Sequence, residues 1–127
     1  EITNDGGREM WTEASWAKFV PRLKKWMSFW EETGRRHGLR MDTAYLLGGE
    51  TPGIADVVTA TLWSTMGDRF PRLWGLLEEA APKTAALTRR VMELPPLVEL
   101  AAKAKAEYGD AYCAGQIEAS LREVLSG

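Results

Sequence analysis

An uncharged segment that follows a turn rich in Gly and Pro constrains the fold more than any other feature of this sequence. The segment runs from Val57 to Met66, and the turn before it, residues 46–53, contains three glycines and one proline. A helix built from this segment carries only apolar, Thr and Ser side chains, so it has no charged face to present to water. It is also shorter than the roughly 20 residues that span a bilayer. The segment is therefore predicted to be a buried central helix.

Asp56 is the only ionisable residue in the first turn of this helix, three residues after the predicted N-cap at Gly53. A carboxylate that is buried without partners is costly. We therefore expect Asp56 to accept hydrogen bonds from backbone N–H groups that the helix leaves unpaired. The helix dipole favours the negative charge there by about 0.3–1 kcal/mol at an exposed site. Gly53 and Asp56 are thus predicted to nucleate the fold and not to catalyse a reaction.

The length and composition are those of one globular domain. The chain has 127 residues, of which 45% are hydrophobic and 27% charged, and its net charge is −2. This charge weighs against nucleic acid or an anionic membrane as a partner, because both select basic surfaces. The single cysteine, Cys113, permits no internal disulfide and favours a cytoplasmic location. Since the first residue is Glu1 and not Met, the chain is expected to be part of a longer protein.

Helical periodicity and Pro or Gly punctuation predict helices along nearly the whole chain, and no strand pattern is found. Thr12 is the predicted cap of the first helix, Gly34 and Gly38 end it, and Pro21 predicts either a kink near Ala17 or a helix that restarts at Pro21. Further helices are expected at 54–66, 71–80, 83–94, 95–108 and 116–125, with Gly67 ending the first of these. The predicted fold is an all-α helical bundle around one buried central helix.

Six tryptophans make aromatic side chains the most conspicuous candidates for binding a ligand. In the first helix, spacings of three and four predict a core face, formed by Trp16, Phe19, Leu23, Trp26 and Trp30. Trp11, Tyr108 and Tyr112 instead lie at the ends of predicted helices, where an aromatic ring is harder to bury completely. These three residues are the candidates for lining a pocket for a hydrophobic ligand.

No arrangement of residues points to catalysis or to a metal. His37 is the only histidine and lies in a basic helix end, where a cation is favourable. One His and one Cys cannot provide a zinc motif or a convincing Cys-His pair. Carboxylate pairs such as Glu31–Glu32 and Glu78–Glu79 are expected on solvated helix faces. We therefore assign no catalytic residue, no metal ligand and no bound cofactor to this chain.

Three motifs stand in a fixed order around the central helix: LeuLeuGlyGly at 46–49, ThrProGlyIleAlaAsp at 51–56 and PheProArgLeu at 70–73. This order resembles the C-terminal helical domain of the cytosolic glutathione transferases. In that family a turn of the form Gly-acidic-x-x-[Ser/Thr]-x-Ala-Asp precedes the central helix, and its Ser/Thr and Asp form an N-capping box. Here Glu50 with a preceding glycine matches the turn, and Ala55 and Asp56 match its end.

One position departs from the family pattern. Gly53 stands where the family has Ser or Thr, so only half of the capping box is present, although Gly as an N-cap costs just a few tenths of a kcal/mol relative to Ser. The resemblance covers about residues 11–100, is strongest over 45–74, and is weakest after Gly109. It implies that residues 12–127 form a single domain of this type and that residues 1–11 are a remnant of a preceding helix or loop.

The resemblance implies a role in detoxification without the reaction centre. In such transferases a thioredoxin-like N-terminal domain, which this chain lacks, binds glutathione and carries the Tyr, Ser or Cys that activates its thiol. The helical domain supplies part of the pocket wall for a hydrophobic electrophile and part of a homodimer interface. Glutathione is then a co-substrate of the intact parent enzyme.

Two other functions are compatible with the same sequence. Similar helical domains assemble complexes in translation elongation factors and aminoacyl-tRNA synthetases, so a non-catalytic protein–protein interaction module is the main alternative. A self-standing helical bundle whose GlyIleAlaAsp turn is coincidental is the third. A thioredoxin-like segment upstream would favour the enzyme, and a long extension downstream would favour the module.

Overall fold

A computed structural model describes residues 10–111 and 114–126. Within these ranges the chain forms six helices and no strand, so the prediction of an all-α fold is confirmed. None of the described helices is long and apolar enough to cross a membrane. The helices are α1 (Glu13–Arg36), α2 (Ile54–Arg69), α3 (Pro71–Ala80), α4 (Pro82–Met92), α5 (Pro95–Tyr108) and α6 (Gln116–Ser126).

The first helix, α1, is a single helix that continues through Pro21. Its N-terminus has a reciprocal capping box, in which the Thr12 hydroxyl accepts from the Ser15 N–H and the Ser15 hydroxyl accepts from the Thr12 N–H. The predicted cap is therefore confirmed, and a restart at Pro21 is wrong. Pro21 leaves the Ala17 carbonyl without its usual N–H partner, and both residues are exposed, so water can take that place.

The core face of α1 differs from the predicted face at one position. Met27 is fully buried, whereas Trp26 is 47% exposed, so the prediction of a buried Trp26 is wrong. At 100° per residue Trp26 lies on the edge of the face centred near Leu23, and Met27 lies closer to its middle. Trp26 instead packs edge-on against Phe29, which is also 47% exposed.

The central helix, α2, packs against α3 and α4, and its Trp63 meets Trp30 of α1 edge-on at 5.7 Å between ring centroids. Its burial is incomplete, contrary to what its uncharged composition predicted. Ile54 is 83% and Val58 59% exposed. The exposed side continues along the helix through Thr61 to Asp68, at helical spacing.

Gly67 does not end α2, which continues to Arg69. A Cβ atom at Gly67 would lie only 2.3 Å from the indole of Trp74 on α3. The glycine therefore serves the close approach of α2 and α3, and the predicted stop at this residue is wrong.

Two hydrophobic clusters form the core. The first joins α1, α3 and α6 around Trp63, and its fully buried members include Met27, Phe70 and Leu121. The second lies between the 39–53 loop, α2 and α4 and is made of Leu39, Leu46, Ala60, Leu87 and Val91. The α5 helix is an exception to this packing, because none of its residues is buried.

The carboxylate of Glu31 contradicts the expectation that it lies on a solvated face. It is partly buried on α1 and accepts hydrogen bonds from the backbone N–H groups of Lys83 and Thr84, at 3.0 and 2.9 Å, and from the Thr84 hydroxyl at 3.0 Å. Its neighbour Glu32 is more exposed and pairs with Arg35 and Arg36. Glu31 therefore caps the N-terminus of α4 from another helix.

Candidate functional site

The buried carboxylate of Asp56 joins the start of α2 to the loop that precedes it. One oxygen accepts a hydrogen bond from the Gly53 N–H and the other from the Leu46 N–H, both at 2.7 Å. Asp56 is only 3% exposed, so these two donors replace the water that the carboxylate loses. Gly53 has an extended backbone at the N-cap position and no side chain to complete a capping box. Both oxygens of Asp56 are therefore engaged in structure.

Of the three aromatic residues that the sequence suggested for a pocket, the structure describes Trp11 and Tyr108. Trp11 is 7% exposed and packs edge-on against Trp16 and Phe19 in the first core cluster, so the expectation that it stays partly open is wrong. The backbone N–H of Trp11 donates a hydrogen bond to the Ser120 hydroxyl of α6 at 2.9 Å, which ties this residue to the last helix. Tyr108 is 60% exposed at the end of α5, and Tyr112 lies outside the described residues.

A cavity of about 500 Å³ lies between α2 and α5. One wall comes from the C-terminal half of α2, the other comes from α5, and Met92 at the end of α4 contributes to the cavity as well. The lining residues are Thr61, Ser64, Thr65, Asp68, Arg69, Met92, Leu97, Leu100, Ala101, Ala104, Lys105 and Asp110.

The two walls of the cavity differ in chemistry. The α2 wall contains three residues that carry hydroxyl groups, Thr61, Ser64 and Thr65, whereas the α5 wall is mainly aliphatic, with Leu100 and Ala101 among its residues. Sites for small molecules are usually pockets of about 300–1,000 Å³ that are mostly apolar and contain a few polar groups. The arrangement can bind an apolar body and orient it through hydroxyl groups.

Ion pairs lie at the end of the cavity where α2 stops. The guanidinium of Arg69 pairs with Asp110 at 3.0 Å and with Glu118 of α6 at 2.9 Å. Glu118 is 4% exposed and also pairs with Arg122. Burying this carboxylate is tolerable because two guanidinium groups compensate its charge. Glu118 and Arg122 are four residues apart on one helix, but Arg69 is far from its partners in the sequence, so no local motif could have revealed its contacts.

Among the described residues no three His, Cys, Asp or Glu side chains are grouped to hold a metal ion. The only histidine, His37, lies at the C-cap of α1, with its ring Nδ1 2.8 Å from the Thr33 carbonyl oxygen. The geometry therefore suits binding and positioning of a ligand by shape and by hydroxyl groups.

A model of a known protein family matches nearly the whole chain. The family model described as "Glutathione S-transferase, C-terminal domain" matches residues 1–124 of the 127-residue chain. A comparison with curated proteins found no significant match. The family match confirms the resemblance carried by the turn at 46–56 and extends it into the tail after Gly109, where the sequence motifs are weakest.

Proposed function

Because the chain belongs to the glutathione S-transferase C-terminal domain family, we propose that it is the helical domain of a cytosolic glutathione transferase. In this proposal the cavity between α2 and α5 receives the hydrophobic co-substrate. Glutathione is the second substrate of the intact parent enzyme. The residue that activates its thiol belongs to a thioredoxin-like domain outside this chain.

The observation that carries the proposal is the composition of the cavity. Its volume of about 500 Å³ suits a small organic molecule, and its α5 wall is aliphatic. The charged residues at its edge are two cations, Arg69 and Lys105, and two anions, Asp68 and Asp110. Since these charges balance, the cavity favours an uncharged apolar molecule over a strongly charged one. Uncharged hydrophobic electrophiles are of this kind.

The domain contributes to the reaction by positioning. When a glutathione thiolate attacks an aryl halide, a bond forms between its sulfur and the ring carbon, and the halide leaves with the bonding electron pair. A wall that holds the ring next to the thiolate makes this encounter effectively intramolecular, which lowers the entropic part of the barrier. Thr61 and Thr65 can orient polar substituents of the electrophile, and the aliphatic wall offers apolar contact to its ring. Detoxification of such electrophiles, by a homodimer, is the physiological role that we propose.

The proposal is tested by obstructing the cavity in the longest natural polypeptide that contains this chain. Ala101 lines the cavity, whereas its neighbour Ala102 is exposed on α5 and does not line it. The Ala101→Trp variant should raise KM for a chlorodinitrobenzene several-fold and leave KM for glutathione unchanged. The Ala102→Trp variant, which carries the same added ring, should match the wild type in both constants.

Two results would contradict this proposal. Absence of retention on immobilised glutathione together with absence of conjugation would remove the transferase function. If both variants conjugate the substrate equally well, the transferase function stands but the cavity is not the electrophile site.

A protein–protein interaction module is the second candidate, and one surface favours it. Trp26 and Phe29 are half exposed on α1 and pack edge-on at 5.5 Å between ring centroids. Lys25 lies 5.9 Å from the Phe29 ring centroid, and Lys18 is exposed on the same helix. Tryptophan and other aromatic residues are enriched in protein–protein interfaces. A complex that is lost in the Trp26→Ala variant, from a parent without conjugating activity, would favour the module.

A further inference from the structure

The α5 wall of the cavity is held to the rest of the domain mainly at its two ends. No residue of α5 is buried. At its N-terminal end Leu94 and Leu97 pack against the second core cluster, made of Leu39, Leu46, Ala60, Leu87 and Val91. Helices with few buried apolar contacts open locally at low free-energy cost. The width of the cavity therefore depends on what holds the other end of α5.

That other end is held by an ion pair across the cavity. Asp110 lies two residues after the end of α5, and its carboxylate is 3.0 Å from the Arg69 guanidinium at the end of α2. Both residues line the cavity, one at each wall. The contact therefore bridges the opening between α2 and α5 through which a ligand enters the cavity.

The two partners of this ion pair differ in how firmly they are fixed. Arg69 has a side chain that is 14% exposed and is anchored by the buried Glu118, which is itself held by Arg122. Asp110 has a side chain that is 64% exposed and follows Gly109, whose φ is +56°. Arg69 is thus the fixed half of the contact, and Asp110 is the half that can separate.

We propose that the Arg69–Asp110 ion pair is a latch that holds α5 closed over the cavity and limits the rate at which apolar ligands leave. The inference rests on the proposed function, since it takes the cavity as a binding site. Asp110 acts through α5 as a positioning residue. The buried Arg69–Glu118 pair keeps the receiving half of the latch in place when the latch opens.

An exposed latch of this kind responds to ionic strength. Salt screens charges at an exposed site, because the Debye length falls from about 30 Å at 0.01 M to below 8 Å above 0.15 M. Exposed ion pairs are weak, so opening is expected to change a dissociation rate by about two- to fivefold. Release of an uncharged ligand should therefore become faster as salt is added, and this dependence should need Asp110.

The test uses the full chain and phenylnaphthylamine, an uncharged fluorescent probe whose dissociation is followed by stopped flow. The Asp110→Asn variant keeps the shape of the side chain and removes its charge. Glu107→Gln is the matched control, because Glu107 is an exposed carboxylate on α5 that neither lines the cavity nor takes part in the latch. The Ala101→Trp variant shows whether the probe occupies the cavity.

We expect the probe to dissociate about two- to fivefold faster from Asp110→Asn than from the wild type at low salt. The wild type and Glu107→Gln should both release it faster as salt rises, whereas Asp110→Asn should not respond. Amide hydrogen exchange should also accelerate in α5 of Asp110→Asn and stay unchanged in α4, which separates release of one helix from general loss of stability.

Two outcomes would contradict the latch, and only the second would also contradict the cavity as a binding site. In the first outcome, the probe binds the wild type but not the Ala101→Trp variant, and it dissociates from the Asp110→Asn variant at the wild-type rate. The latch is then wrong, and the cavity remains a binding site. If the wild type does not bind the probe, or Ala101→Trp binds it equally well, the cavity fails as a site and the latch fails with it.

Discussion

Glu31 caps a helix to which it does not belong, because its carboxylate accepts both the backbone N–H and the hydroxyl of Thr84 in the first turn of α4. The residues that start α4 cannot provide this cap themselves. Its N-cap position is Ala81, which has no polar side chain, and Pro82 follows as the first helical residue. A carboxylate from α1 therefore takes the place of the missing local cap and also meets the positive end of the α4 dipole.

Removal of this cap should destabilise the domain. In Glu31→Ala the Lys83 and Thr84 donors lose their partner in a partly buried position, so the free energy of unfolding should fall by about 1–3 kcal/mol. Glu32→Ala is the control, since Glu32 is its neighbour and pairs only with exposed arginines. Urea denaturation of both variants provides the measurement. Equal losses for the two would contradict the capping role of Glu31.

Removal of the Asp56 carboxylate at the start of α2 should lower the stability of the domain. The Asp56→Ala variant leaves the Leu46 and Gly53 N–H groups without their acceptor, one of them fully buried, so we expect a loss of about 2–3 kcal/mol in unfolding free energy. Asp68→Ala, at the exposed end of the same helix, should change stability by less than about 0.5 kcal/mol. Thermal and urea unfolding can compare the two. An unchanged melting temperature for Asp56→Ala would show that its carboxylate does not stabilise the turn.

Local signals in the sequence predicted the helices well. Thr12 with Ser15 marks the start of α1, and a proline stands at the start of α3, α4 and α5, where its missing N–H costs nothing. These signals act within one turn of helix, so a single sequence contains them. The Asp56 contact with Gly53 was predictable for the same reason, because the two residues are three positions apart.

Contacts between distant residues could not be predicted in the same way. The α2 composition suggested burial on every side, but α5 lies apart from it and leaves Thr61 and Thr65 at a cavity. Gly67 was predicted to end α2, but it instead makes room for the ring of Trp74 on α3. The Arg69–Glu118 pair joins residues on helices far apart in the chain. In each case the partner is chosen by tertiary packing and leaves no local pattern.

Glu32 should titrate well below an ordinary glutamate. Hydrogen bonds from Arg35 and then from Arg36 lower the pKa of the Glu32 carboxyl from 4.5 to about 2. Because the folded pKa is the lower one, the stability contributed by these contacts is present above about pH 4.5 and is lost as pH falls through about 2. Carboxyl carbon NMR can follow the titration. The Arg35→Ala variant should raise the pKa more than Arg36→Ala, and a value that neither change moves would contradict this origin.

Gly53 offers a site where the domain can be stabilised by completing its capping box. Its φ is −108°, which an L-residue adopts without strain, and an added Cβ would meet only the Asp56 carboxylate at an ordinary 3.7 Å. Gly53→Ser adds a hydroxyl that can accept the Asp56 N–H, and it also reduces the freedom of the unfolded chain. We therefore expect a gain of a few tenths to about 1 kcal/mol in unfolding free energy.

The matched control for this gain is the same substitution at the other end of α2. Gly67→Ser places a side chain against the Trp74 ring, where a Cβ would lie at 2.3 Å, so α2 and α3 must separate. This variant should lose stability by about 1–3 kcal/mol, the usual cost of overpacking. Differential scanning calorimetry should give a higher melting temperature than wild type for Gly53→Ser and a lower one for Gly67→Ser. A lower melting temperature for Gly53→Ser would show that a side chain at this N-cap cannot adopt the capping geometry, and that the glycine is required there by the turn.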